Sequence, residues 1–107
     1  MRAEKTKQMK VNIFNQYVEQ VCELFNVDKE GLFTKSKRRD VVDARQMLYY
    51  LCHNRPMRIV YIQEYMGDNG YPINHSSIIH GINMVKDRLA HDEDYVRVLK
   101  EIATNEL

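Results

Sequence analysis

Two short stretches of the chain hold side chains suited to gripping a polyanion. Lys35-Ser36-Lys37-Arg38-Arg39 places four cations within five residues, and a local basic surface attracts phosphate even when the whole chain is close to neutral. Asn74-His75-Ser76-Ser77 is a run of short polar side chains that donate and accept hydrogen bonds, the chemistry that reads base edges in the major groove of DNA. Both stretches have a plainer use as well. A charge run is often only solvated surface, and Asn and Ser are good helix caps.

Other chemistries find little support. The chain has no phosphate-binding Gly-Lys loop, no GxSxG elbow, no HExxH motif and no pair of carboxylates with an evident reason to share a site. His75 and His80 are five residues apart, so on one helix they diverge by about 140° and do not chelate a metal as an i, i+4 pair does. Cys22 and Cys52 lie thirty residues apart in apolar stretches with no second pair, which reads as two reduced core thiols rather than a disulfide or zinc framework. We therefore expect no catalytic residue, no cofactor, no metal and no small-molecule substrate. Met1 to Lys10 is charged, and no run approaches the roughly 18 apolar residues of a membrane span. This reading is of a soluble, cytoplasmic protein without a membrane partner.

The elements that must position the two polar stretches follow from spacing and caps. With 107 residues, 44% hydrophobic and 29% charged, and only four Gly and two Pro, the chain is expected to fold as one domain, 1–107. Phe14, Tyr17, Val18, Val21, Cys22 and Phe25 form one apolar stripe on a helix ending near Asn26. Val27 to Arg39 reads as a loop with a few helical turns at most. A second helix begins at Asp40, an acceptable N-cap with Asp43 behind it at the positive end of the dipole. Its core face is Ala44, Met47, Leu48, Leu51 and Cys52, and Asn54-Arg55-Pro56 ends it. A third helix spans roughly Arg58 to Met66. The turn formers Gly67-Asp68-Asn69-Gly70-Tyr71-Pro72 follow. Asn74 or Ser76 then caps a fourth helix through Leu89, which buries Ile78, Ile82, Val85 and Leu89. An amphipathic helix over about 92–106 is anchored by Tyr95, Val98, Leu99 and Ile102. The expected fold is all-α, a compact bundle of about five helices containing a helix-turn-helix.

Charge is segregated along these elements. From Lys35 to Arg58 seven basic residues face two acidic ones, and from Asp87 onward six acids face three bases. The first part is suited to face a nucleic acid, and the second to face away. A helix, a turn and a second helix opening on Asn74-His75-Ser76-Ser77 is the arrangement in which N-terminal residues of the second helix enter the major groove.

More specific features lie within about 21–89. Phe25-Asn26-Val27 and Leu32 lead into the basic loop, Arg45-Gln46-Met47 follows early in the next helix, and His75-Ser76-Ser77-Ile78-Ile79-His80-Gly81 completes the order. In this order and in that last heptad the chain resembles the C-terminal DNA-binding domain of the bacterial chromosomal replication initiator DnaA, whose signature there is His-Thr-Thr-Val-Leu-His-Ala. The resemblance implies double-stranded DNA as the partner, with replication proteins as a further class. It makes His75, Ser76 and Ser77 the major-groove residues, and gives Arg45 and Gln46 contacts to phosphate or nearby bases. Lys37 or Arg38 becomes a minor-groove arm. His80 and Gly81 read as packing positions.

The departures limit the transfer. Where the family has Gly-Gly-Arg-Asp before its histidine, this chain has Tyr71-Pro72-Ile73-Asn74, and the turn is about four residues longer. Ser76 and Ser77 lack the methyl groups that threonines would pack on thymine. Asp43 and Ala44 stand where the family tends to have arginine and proline. Nor do the 107 residues hold an ATPase motif. The leading expectation is a non-enzymatic DNA-binding module, acting in replication or transcription, whose target differs from the initiator's own box. The alternative is a protein-interaction domain that keeps the fold without DNA affinity, and an exposed Tyr49-Tyr50 pair would favour it.

Overall fold

A computed structural model of the protein describes residues 2–104, with side chains from 8 to 102. It is all-α: among the described residues there are six helices and no strand. They are α1 (Arg2–Phe25), α2 (Lys29–Leu32), α3 (Arg39–Asn54), α4 (Ile59–Asp68), α5 (His75–His91) and α6 (Glu93–Thr104). The end of the expected last helix, at 105–106, lies outside the described residues.

The expected apolar stripes are the faces that meet in the core. Phe14, Tyr17, Val18 and Val21 of α1 are buried against Val41, Ala44, Met47, Leu48, Leu51 and Cys52 of α3. The opposite flank of α3 packs along α5, which contributes Ile78, Ile82 and Val85. Burying each such side chain contributes about 1.5–3 kcal/mol. That packing decides whether α4 exists at all, since a ten-residue helix is marginal alone in water. Its Ile62, Tyr65 and Met66 are buried, and Tyr65 meets Phe14 edge-on with ring centroids 5.5 Å apart.

Two helices end in the same device. Asn26 has φ 55° and Gly70 has φ 87°, the left-handed conformation that Gly and Asn tolerate best. After Asn26 the Val27 amide donates to the Cys22 carbonyl at 2.9 Å, and after Gly70 the Tyr71 amide donates to Met66 at 2.9 Å. The second of these turns the chain from α4 into the segment that presents α5.

Three local details complete the bundle. The linker holds a sixth helix, α2, because Asp28 caps it by accepting from the Gly31 amide at 2.6 Å. A Cβ at Gly31 would lie 2.7 Å from that same carboxylate oxygen, so a larger residue there would make the Asp28 side chain shift. Next, α3 begins at Arg39 and not at a cap formed by Asp40. Asp40 instead takes both ends of the Arg38 guanidinium, at 3.1 and 2.8 Å. Finally, α1 extends back through the charged N-terminal stretch to Arg2.

Candidate nucleic-acid interface

The N-terminal turn of α5 is the polar end of an otherwise apolar-backed helix. Asn74 caps it, its side-chain oxygen accepting from the Ser77 amide at 2.7 Å. His75, Ser76 and Ser77 are all exposed, and among the described residues none of their side chains is bonded within the chain. Below them, Ile78 and Ile82 anchor the helix in the core. Gly81 lets α5 approach α3 closely, since a Cβ there would lie 2.9 Å from the Tyr49 ring and 3.2 Å from the Gln46 side chain. Gly81 is thus a packing position, whereas His80 is exposed and corrects the expectation that it packs. Ile79 beside it is also partly open, at 39% exposure.

The basic loop lies alongside this turn. A groove of about 410 Å³ is lined by Lys35 and Lys37 from the loop, Arg45 from α3, Tyr71 from the turn, and Asn74 and Ser77 from the start of α5. Three of its ten lining residues are cationic and none is acidic. Lys35 and Lys37 are exposed, and among the described residues neither meets a carboxylate. Cations of this kind suit phosphate, and the α5 N-terminus adds unpaired amides and the positive end of a helix dipole.

Arg45 occupies a different place from that expected of a phosphate contact. It is only 6% exposed. Its Nε donates to the Leu32 carbonyl at 2.9 Å, and its Nη2 donates to the Thr34 and Ser36 carbonyls at 2.7 and 2.8 Å. The guanidinium also lies 4.6 Å from the centre of the Tyr71 ring. It forms part of the groove from within the fold.

Arg38, Arg39 and Gln46 are not brought into the groove. Arg38 pairs with Asp40, and the hydrogen bond from Arg38 is the first cause holding the Asp40 carboxyl below its usual range. Arg38 lines a second hollow of about 400 Å³ with Asp28 and Glu30, two carboxylates that make it a poor anion site. Arg39 is 85% exposed and reaches Asp43 at 3.9 Å. Gln46 is half-buried, its oxygen accepting from Arg88 at 2.9 Å.

Arg88 itself was not singled out by sequence reasoning, although it organises the far end of α5. It pairs with Asp43 at 3.0 Å, with both side chains under one-fifth exposed, and it donates to the Tyr95 hydroxyl at 3.2 Å. Burial at this junction pushes the Tyr95 phenol above its ordinary value, and Asp43 adds to the effect. Tyr71 was missed as well, read only as part of a turn.

Neither cysteine is set up as a nucleophile. Burial raises both the Cys22 and Cys52 thiols, which disfavours the nucleophilic thiolate. Among the described residues no three His, Cys, Asp or Glu side chains are grouped to hold a metal ion, and no helix is long and apolar enough to cross a membrane. Tyr49 is buried and Tyr50 half-buried, so they form no exposed aromatic pair.

Comparison with known proteins places these features in a family. The family model described as bacterial DnaA protein helix-turn-helix matches residues 15–85. The chain belongs to that family. The match takes in the basic loop, α3, α4, the turn and the first part of α5, and leaves α6 outside. These are the elements of a DnaA-type DNA-binding domain. Among curated relatives, the chromosomal replication initiator protein DnaA of Bacteroides thetaiotaomicron is 30% identical over 83 residues, covering 77% of this chain and 17% of that protein. The protein of the same name from Bacteroides fragilis is 28% identical over 85 residues, covering 78% and 17%. The chain therefore spans 17% of the length of these relatives. No solved structure matches it.

Proposed function

We propose that this chain is a single, non-catalytic domain that binds double-stranded DNA with the first turn of α5 in the major groove. The observation that carries this reading is the groove in which Lys35 and Lys37 lie beside the start of α5. His75, Ser76 and Ser77 reach the base edges, and Asn74 fixes the turn that presents them. Lys35 and Lys37 hold the adjacent backbone, with Lys37 extending toward the minor groove. Helix α4 braces the duplex from the other side of the turn. Phosphate contacts of this kind position the protein, and the base contacts specify its site.

The setting is control of replication or transcription at origin-like DNA, in keeping with relatives named as chromosomal replication initiators. The target is a different sequence from the initiator's own box. Tyr71-Pro72-Ile73-Asn74 replaces the family's arginine and acid beside the reading residues, so the hydrogen-bond code presented to the groove is changed. Replication proteins are a further class of partner.

Fluorescence anisotropy with a randomised duplex and an origin-like duplex across a salt series tests the reading. Binding is expected to weaken linearly in log salt, log K falling by about 0.9 per tenfold rise in salt for each phosphate neutralised. A preference for one duplex that persists at high salt marks base readout. Failure to bind either duplex at low salt refutes the proposal.

A further inference from the structure

We propose that Arg45 is a positioning residue for DNA binding and not a DNA contact: it holds the basic loop and the turn before α5 in one register. The inference rests on the DNA-binding reading above and assigns one of its residues a different job. Between α2 and α3 the chain has little to hold its shape. Among the described residues, no backbone-to-backbone hydrogen bond involves Lys35, Ser36 or Lys37. Local bonds hold its ends, the Thr34 hydroxyl donating to the Gly31 carbonyl and the Arg38 amide to the Ser36 hydroxyl, and the Arg45 fork ties the segment to α3 by taking the carbonyls of Leu32, Thr34 and Ser36. With those of Thr34 and Ser36 drawn inward, Lys35 and Lys37 stand exposed.

The same guanidinium lies over the ring of Tyr71, 4.6 Å from its centre, three residues before the Asn74 cap. One side chain therefore touches both halves of the groove. Its Nε and Nη2 donors are engaged and it is 6% exposed, which leaves little of it to offer a phosphate. Lysine cannot replace it, because a point ammonium lacks the planar fork that spans several acceptors.

The charge-conserving substitution Arg45→Lys separates the two roles. For a direct contact, R45K keeps its cation and the salt slope, while R45M loses about 0.9 in that slope. For a positioning residue, R45K releases Lys35 and Lys37 together, and the slope falls by about 1.8 with no charge removed. We expect the second result, with R45K adding almost nothing in a K35A/K37A background. Amide hydrogen exchange should quicken across 33–38 in R45K while α1 and α3 keep their protection. If R45K does not fold, Tyr71→Leu, which removes the ring and no charge, should lower the slope in the same direction. An R45K variant, or failing that a Y71L variant, that retains the wild-type slope overturns the proposal. A wild-type protein that shows no salt-dependent binding to either duplex overturns the DNA reading beneath it instead.

Discussion

At its N-terminal end α5 carries His75, Ser76 and Ser77 into solvent, with Asn74 spent on the cap; near its C-terminal end Arg88 is tied to Asp43, Gln46 and Tyr95 on two neighbouring helices. The same contrast separates Arg45 of α3 and Arg88 of α5 from the lysines of the loop. Arg45 and Arg88 are largely buried and engaged, whereas Lys35 and Lys37 are exposed and unpaired among the described residues. Polar side chains with partners inside the protein set geometry, and those without partners are available to a ligand. A rigid far end also limits the freedom of the reading end, because both belong to one helix.

Damage to the anchored part should therefore appear first as lost stability. The largest effect is expected at Gly81, where α5 lies close against α3. Gly81→Val forces a branched side chain toward the buried Tyr49 ring, which a Cβ already approaches to 2.9 Å. Overpacking of this kind costs about 1–3 kcal/mol, and each kcal/mol lowers the melting midpoint by roughly 4–8 °C in a domain of this size. A thermal melt that matches wild type would mean that the two helices do not meet as described.

A smaller loss is expected from Arg88→Met, which leaves the Asp43 carboxylate, 17% exposed, with only the exposed Arg39 at 3.9 Å as a cationic neighbour. Losing a hydrogen-bonded charge partner there is expected to cost about 1–2 kcal/mol. The salt dependence of DNA binding should stay as in wild type, because Arg88 is outside the groove. If R88M lowers the salt slope as removal of a loop lysine would, the two ends of α5 cannot be treated as separate in function.

What could be read in advance follows the same division. The core faces of α1, α3 and α5 were legible because burial repeats every three to four residues, and Asn74 was legible as a cap because its signal is local. The Arg88–Asp43 pair joins positions 45 apart in sequence, and no spacing rule connects them. The role of Arg45 was hidden for another reason. Its acceptors are backbone carbonyls, which every residue possesses, so nothing in the side chains of Leu32, Thr34 or Ser36 marks them. Helix α2 was too short for periodicity, yet Asp28 followed three residues later by Gly31 carried its cap, a signal that could have been used. His80 was assigned to packing by resemblance, whereas the close approach of α3 falls at Gly81, one residue or about 100° further round the helix.

The smallest effect on stability should come from the reading residues themselves. His75→Ala and Ser76→Ala remove exposed side chains with no partner within the described chain, so melts should agree with wild type within about 0.5 kcal/mol. The effect belongs to sequence discrimination. A side chain that reads a base edge contributes about 1–3 kcal/mol against the wrong base, so H75A should reduce the preference between selected and randomised duplexes by about tenfold or more. Its salt slope should remain that of wild type, because histidine is lost from the bases and the lysines stay on the phosphates. If H75A lowers the melting midpoint by several degrees and leaves duplex preference intact, His75 belongs to the anchored part and base reading falls to Ser76 and Ser77.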